Sequence, residues 1–212
     1  MKKLLLLGAA FIAFSFTQRE VAPNTTKPLA GVASVQHDKA FLLDYYRKTE
    51  NQLKAHLDGL TSAQLQYKPS ANEWSISQCV EHIIKTEKML FDMAKETLAN
   101  PANPERKAEV TITDQQLIDG ITDRSHKAEA PAALIGEGTY QDVKAAMADF
   151  RAQRKVIRSY LKGVSVDDLR NHIADSPFGP VDAYHSMLFI AGHTARHTLQ
   201  IAEVKANAAF PK

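Results

Sequence analysis

Apolar residues recur at three- and four-residue steps in four separate segments of this chain, which is the spacing of helices with one buried face. The first segment covers residues 41–57 and is followed by Gly59, a residue suited to ending a helix. The second begins at Ser75, where Gln78 three residues later completes a capping box. These signals predict two helices joined by a short connection.

Two more helices are predicted in the second half of the chain. The third runs from about Thr139 to Lys162 and stops at Gly163, and the fourth begins near Pro180. Segments with the two-residue alternation of half-buried strands are nearly absent. The pattern therefore predicts an all-α protein in the form of a four-helix bundle.

The connection between the second and third helices, residues 100–138, is unusually long for a compact domain. It contains prolines, glycines and one short helix predicted after Thr113. A connection of this length indicates either a crossover or a functional lid. A crossover would let the second and third helices run in the same direction, which gives an up-down-down-up bundle.

Residues 57–65 and 161–169 resemble each other position by position. Each segment contains a helix end, a glycine, an apolar residue, a Thr or Ser cap and a short helical turn. We interpret them as parts of two similar helix hairpins, with convergence on the same helix-stop chemistry as the alternative.

The first residues differ in composition from the rest of the chain. Residues 1–17 combine a basic start, an apolar run and small residues at a cleavage position, which predicts a secretory signal peptide. Residues 18–35 form a polar linker, and residues 36–208 form the predicted bundle domain. We therefore expect export to the periplasm or the extracellular space, without stable membrane association after cleavage. A retained membrane anchor is the alternative.

Charge and cysteine content exclude some classes of protein. The formal net charge of +2 over 212 residues gives no global reason to bind nucleic acid. The third helix carries a basic stripe that could contact nucleic acid or acidic lipid, but we interpret it as a solvated outer face; its members are Arg151, Arg154, Lys155, Arg158 and Lys162. Cys79 is the only cysteine, so no intramolecular disulfide can form.

Histidines supply the candidate chemistry. His193 and His197 are four residues apart on the fourth predicted helix, so both side chains leave the same, largely apolar face. Neutral imidazole is a good ligand for zinc, nickel, iron or copper, although such a pair is more often a surface or core feature. His82 lies on the apolar side of the second helix. A ligand from one helix and a pair from another can build a three-histidine site inside a bundle.

Several segments resemble the DinB-like superfamily in their order and separation. The start of the second helix carries one part of the resemblance, in Tyr67-Lys-Pro-Ser-Ala-Asn-Glu-Trp-Ser-Ile76 followed by His82. The fourth helix carries another, in Phe178-Gly-Pro followed by His193-Thr-Ala-Arg-His197-Thr-Leu-Gln-Ile201, and Thr122-Asp-Arg-Ser-His-Lys with Ala130-Pro resembles the crossover. The resemblance covers residues 37–207. It implies an up-down-down-up bundle, frequent homodimers, and a metal site of His82, His193 and His197.

Two classes of function follow from this resemblance. It implies a metal-dependent enzyme of hydrolase or transferase type that acts on a small molecule, and export disfavours an intracellular thiol cosubstrate, so we favour hydrolase-like chemistry. A non-catalytic exported binding or structural bundle, with a bracing metal or none, is the alternative. Zinc or nickel is the expected ion, with iron or manganese as alternatives. Zincin, P-loop and dinucleotide-binding motifs are absent from the sequence.

Five further side chains are candidates for the site, each with an ordinary structural role that we favour. Arg196 and Gln200 could orient substrate or the histidine rings, or could pack at a helix or dimer interface. Glu87 could serve as a base or be a solvated helix charge. His185 could be a spare ligand or a buried structural histidine, and Cys79 a soft-metal ligand or a small core residue.

Overall fold

The structure is a computed structural model that describes residues 37–127, 129–177 and 179–212. The predicted signal peptide, residues 1–17, and the predicted linker, residues 18–35, lie outside the described residues. The helices and strands are, in chain order, α1 (Lys39–Leu57), α2 (Ser62–Gln66), α3 (Ile76–Ala99), α4 (Asp114–Thr122), α5 (Val143–Gly163), α6 (Val166–Asn171), β1 (Ile173–Ser176), β2 (Gly179–Asp182) and α7 (Ala183–Lys205). Two 3-10 turns, Pro104–Glu109 and Ala132–Leu134, lie in the long connection.

Local capping chemistry sets where the helices begin. Ser75 accepts a hydrogen bond from the Gln78 N–H at 3.2 Å, and the Gln78 side chain accepts one from the Ser75 N–H at 3.0 Å. The same reciprocal box opens α2 and α4, where it satisfies backbone N–H groups that have no partner within the helix. After α1, Gly59 takes the left-handed conformation with a φ of 73°. The predicted helix starts at Ser75 and after Thr113 are therefore confirmed.

The third and fourth long helices begin later than predicted, and for the same reason. Asp142 caps α5 by accepting from the Lys144 N–H at 2.7 Å, and Asp182 caps α7 by accepting from the His185 N–H at 2.7 Å. Pro180 lies in β2 instead, opposite Asp175 of β1 in an antiparallel hairpin. The expectation of a purely all-α fold is thus corrected, because the protein is mostly helical with a small two-stranded sheet.

Helix α7 lies at the centre of the fold. It packs against α1, α3 and α4, while α5 packs against α1 and α3. Because α7 has neighbours on several sides, apolar side chains cover most of its circumference, and its buried residues include Leu188, Ile190 and Ile201. No described helix is long and apolar enough to cross a membrane.

A buried ion pair links the helices across the middle of the core. The side chains of Arg154 on α5 and Glu87 on α3 are 1% and 0% exposed, and Arg154 Nε lies 2.9 Å from Glu87 Oε1. Arg154 also donates to the Tyr46 carbonyl oxygen of α1 at 3.1 Å and to Thr194 Oγ1 of α7 at 2.7 Å. The solvated stripe predicted on this helix is therefore wrong at Arg154, although Arg151, Lys155 and Lys162 are exposed.

Candidate metal centre

Three histidines from two helices converge at one buried point. His82 comes from α3, and His193 and His197 come from successive turns of α7. The Nε2 atom of His193 lies 3.2 Å from His82 Nε2 and 3.1 Å from His197 Nε2. All three residues are buried, and among the described residues they form the one group of three ligand-type side chains close enough to share an ion. The structure thus brings together the three residues singled out in the sequence.

Hydrogen bonds at the outer nitrogens fix two of the three rings. His82 Nδ1 lies 2.8 Å from the Leu134 carbonyl oxygen, and His197 Nδ1 lies 2.8 Å from Gln200 Oε1. Since a carbonyl oxygen only accepts, each Nδ1 carries the hydrogen and each Nε2 presents a lone pair to the centre. His193 Nδ1 has no hydrogen-bond partner among the described residues.

The surroundings favour neutral rings. Burial lowers the pKa of His193 and of His197 well below the usual range, and the neighbouring histidines lower both further. Burial also lowers the pKa of His82, although the hydrogen bond to Leu134 partly opposes this effect. Neutral imidazole is the form that binds a metal ion, so the protein holds these rings in the ligating state at neutral pH.

The donor set fits a divalent transition metal. The Nε2 lone pairs of His82 and His197 both face His193 Nε2, and a hydrogen on that nitrogen could satisfy only one of them. If His193 carries its hydrogen on Nδ1 instead, a cation can accept the lone pairs of all three Nε2 atoms at once. Nitrogen ligands about 2.0–2.1 Å from zinc are about 3.3 Å apart at tetrahedral angles and about 2.9 Å apart at right angles. The two separations that involve His193, 3.1 and 3.2 Å, lie between these values, and all three ligand nitrogens lie within 4.8 Å of one another.

Aromatic rings cover the histidines on two sides. The Trp74 ring stacks on His197 with centroids 6.1 Å apart and lies 4.8 Å from the His82 ring. Phe189, one turn before His193, stacks on that ring at 6.2 Å. These apolar faces lower the local dielectric, which strengthens electrostatic interactions at the centre. Of these two rings, only Trp74 entered the sequence analysis, and only as part of the resemblance.

The other candidates from the sequence occupy different places. Arg196 donates to the backbone oxygens of Ile121 at 3.1 Å, His126 at 2.7 Å and Asp123, so its guanidinium ties the end of α4 to α7. Gln200, by contrast, orients the His197 ring directly. Of the two roles weighed for these residues, ring orientation matches the contacts of Gln200.

Glu87 and Cys79 have structural surroundings. Glu87 is fully buried in the pair with Arg154, so the expected solvated charge is wrong, and its carboxylate oxygens are already used as acceptors. Cys79 lies in the apolar core, where burial raises the pKa of its thiol to about 12. A thiol in that environment stays protonated, as expected for a small core residue.

His185 belongs to a second buried polar cluster outside the three-histidine centre. Its Nε2 lies 2.9 Å from Asp114 Oδ1, and Arg170 donates to the other oxygen of Asp114 at 2.7 Å. Burial alone would raise the pKa of Asp114, but hydrogen bonds from His185, Arg170 and the His37 N–H outweigh it and hold this pKa well below its usual range. His185 therefore joins α4 to the start of α7, which is the structural role favoured from the sequence.

The fold and the three converging histidines together define the class of protein: a mostly helical protein with a candidate metal centre in its core. The chain belongs to the DinB superfamily, whose family model matches residues 45–201. This match confirms the resemblance seen in the sequence.

Two Bacillus subtilis proteins extend this comparison. The chain is 24% identical over 158 residues to the uncharacterized protein YuaE, which is 74% of this chain and 91% of YuaE. The structure of YfiT aligns over 88% of this chain and 95% of YfiT, with a TM-score of 0.57 and 13% identity. YfiT is described as a probable metal-dependent hydrolase with an unusual four-helix bundle topology. At this identity, the likeness shows a shared fold.

Proposed function

We propose that this protein is a metal-dependent hydrolase that acts on a small molecule, with His82, His193 and His197 as the ligands of one divalent ion. The observation that carries the proposal is the convergence of three Nε2 atoms, two of them with the hydrogen fixed on the opposite ring nitrogen. The description of YfiT as a probable metal-dependent hydrolase supports the same class of reaction.

Three neutral imidazoles suit zinc or nickel. Iron and manganese are the alternatives, and of these manganese favours oxygen ligands. When bound, such an ion polarises a carbonyl or phosphoryl oxygen and activates water for hydrolysis, and three protein ligands leave positions open for both. The protein's part is to keep the rings neutral and oriented. Leu134 and Gln200 set the rings of His82 and His197, and the Trp74 ring lies against both of them.

A panel of chromogenic esters, amides and phosphoesters tests this function. The mature chain is loaded with zinc, nickel or manganese and assayed beside His193→Ala, with His126→Ala as a matched control because His126 is exposed. We expect turnover that needs the metal, is lost in His193→Ala and persists in His126→Ala. A metal-loaded parent that cleaves none of these bonds would contradict the hydrolase proposal and favour a bracing role for the metal.

We also propose the up-down-down-up order of the four long helices. Contacts between α3 and α5 advance together along both helices: Gln153 donates to the Ile84 carbonyl oxygen at 3.0 Å, and the Tyr160 and Phe91 rings meet at 5.3 Å. This progression supports parallel middle helices. The long connection between them supplies the length that such a crossover needs.

Contacts of α1 support the outer two helices of that order. The Tyr184 hydroxyl donates to the Asp38 carbonyl oxygen at 2.8 Å and Lys205 donates to the His56 carbonyl oxygen at 2.7 Å, so contacts advance together along α1 and α7. YfiT's unusual four-helix bundle topology is in keeping with this proposal. An experimental structure with α3 and α5 antiparallel would contradict it.

Export remains a proposal that rests on residues 1–17. It is tested by expressing the full chain in a bacterial host and sequencing the N-terminus of the protein in each cell fraction. We expect a shortened chain outside the cytoplasm. A full-length chain confined to the cytoplasm or membrane fraction would contradict export.

A further inference from the structure

Residues 134–139, at the end of the long connection, lie against α3 beside the three histidines, and we call this segment the strap. Its last three residues converge on one side chain, Glu81, which directly precedes His82. The Glu81 carboxylate accepts hydrogen bonds from the backbone N–H groups of Glu137, Gly138 at 3.0 Å and Thr139, and from the Thr139 hydroxyl. A single buried carboxylate thus anchors three consecutive residues.

The middle of the strap is held equally closely. Gln78 donates to the Gly136 carbonyl oxygen at 3.0 Å, and Lys85 donates to the Ile135 carbonyl oxygen at 3.0 Å. A Cβ atom on Gly136 would lie 2.2 Å from the Gln78 carbonyl oxygen, so only glycine allows this approach. The backbone of the strap therefore packs directly against the backbone of α3 at Gly136.

The first residue of the strap reaches the candidate metal centre. The Leu134 carbonyl oxygen accepts the hydrogen bond from His82 Nδ1 at 2.8 Å. This bond decides which ring nitrogen of His82 carries the hydrogen, and hence that Nε2 faces the other histidines with its lone pair. Thr86 Oγ1, at 3.4 Å, is a more distant neighbour of the same nitrogen.

We propose that Glu81 is a positioning residue for His82. By anchoring the strap, it keeps the Leu134 carbonyl oxygen on His82 Nδ1 and so keeps Nε2 of His82 available as a ligand. Glu81 and His82 are neighbours in sequence, and the strap contacts both of them, Glu81 through Thr139 and His82 through Leu134. The part of the inference that concerns metal affinity rests on the proposed function, whereas the part that concerns the His82 ring does not.

Glu81→Gln tests this inference, because an amide keeps the size of the side chain but replaces one acceptor oxygen with a donor that faces the strap N–H groups. Glu137→Gln is the matched control: it removes the same charge from the strap itself, at a side chain that is 79% exposed. Gly136→Ala is a second variant, which displaces the strap from α3 without changing a carboxylate.

Three properties of each variant are measured: the His82 tautomer, the protection of the strap amides and the affinity for zinc. Nitrogen-15 chemical shifts of the His82 ring in metal-free protein report which nitrogen carries the hydrogen. Hydrogen exchange reports protection of the N–H groups of Glu137, Gly138 and Thr139. Competition with a chromophoric chelator gives the dissociation constant for zinc. In Glu81→Gln we expect a mixture of ring tautomers, faster exchange at these amides and about 10- to 100-fold weaker zinc binding. Glu137→Gln should match the parent in all three.

The outcomes separate the two proposals. A Glu81→Gln protein that keeps the parent tautomer and binds zinc within twofold of the parent would overturn the positioning role, while the metal centre would stand. A parent that binds no zinc, but whose His82 tautomer changes in Glu81→Gln, would support positioning and contradict the metal proposal. If Glu81→Gln does not fold, Gly136→Ala decides, since an unchanged tautomer in that variant would also overturn the inference.

Discussion

Replacing Arg154 by methionine tests whether the buried ion pair holds the helices together. The substitution keeps an apolar stem of similar length between the Tyr46 and Phe150 rings, whose centroids lie 4.6 and 4.9 Å from the guanidinium carbon. It removes the partner of Glu87, whose side chain is 0% exposed. Among the described residues, the carboxylate would then keep only the Thr194 hydroxyl and a long contact of 3.4 Å with Gln153.

The expected cost follows from the charge left behind. Removing one partner of a buried, hydrogen-bonded pair typically costs about 3–5 kcal/mol, a large share of the 5–15 kcal/mol that usually stabilises a domain. Replacing Glu87 by methionine as well removes the orphaned charge. The double variant should therefore be only about 1–2 kcal/mol less stable than the parent, which reflects the lost hydrogen bonds to Thr194 and Tyr46.

Urea unfolding of metal-free protein, followed by far-ultraviolet circular dichroism, gives these free energies. Arg151→Met is the matched control, because Arg151 is on the same helix but 47% exposed in its surface pair with Glu50, and its loss should cost less than about 1 kcal/mol. An Arg154→Met protein within about 1 kcal/mol of the parent would refute the reasoning. So would a double variant as unstable as the single one.

Three further predictions concern other parts of the molecule. Asp114→Asn should destabilise the protein by about 2 kcal/mol at pH 7, as measured by urea unfolding. Because folding lowers the pKa of Asp114, the stability difference between parent and variant should be complete above the unfolded pKa and should shrink below about pH 4. A stability difference that stays constant with pH would contradict this prediction. Gln200→Leu should weaken zinc binding by about 10- to 100-fold in a chelator competition while Gln200→Glu, which keeps an acceptor for His197, should not; equal affinities in both would contradict the orienting role. We expect a homodimer, so light scattering should give twice the mass of one mature chain. A monomeric mass at every concentration would contradict this expectation.

The features that could be predicted from sequence are those set by neighbouring residues. The box of Ser75 and Gln78 fixes a helix start within three positions, and the four-residue spacing of His193 and His197 places both rings on one face whatever the tertiary fold. His82 could be assigned to the same site only because it lies on the apolar side of its helix and because the family resemblance implies it as a ligand. Its actual distance from His193 depends on how α3 and α7 pack.

The features that were missed depend on contacts between distant parts of the chain. The acceptor for His82 is a backbone oxygen 52 residues away, and since every residue type carries such an oxygen, nothing in the sequence singles out Leu134. Arg154 has the sequence pattern of a solvated stripe, and the charged partner that offsets its burial, Glu87, lies 67 residues away. The hairpin of β1 and β2 is four residues long on each side, too short for a clear alternation of apolar and polar positions.

Metal content measured by mass spectrometry is the most direct test of the candidate metal centre. The purified mature chain is compared with His193→Ala and with His126→Ala, after incubation with zinc, nickel or manganese and removal of free ions. We predict about one ion per chain in the parent and in His126→Ala, and none in His193→Ala. A parent that retains no ion under any of these conditions, or a His193→Ala protein that retains as much as the parent, would contradict the three-histidine centre.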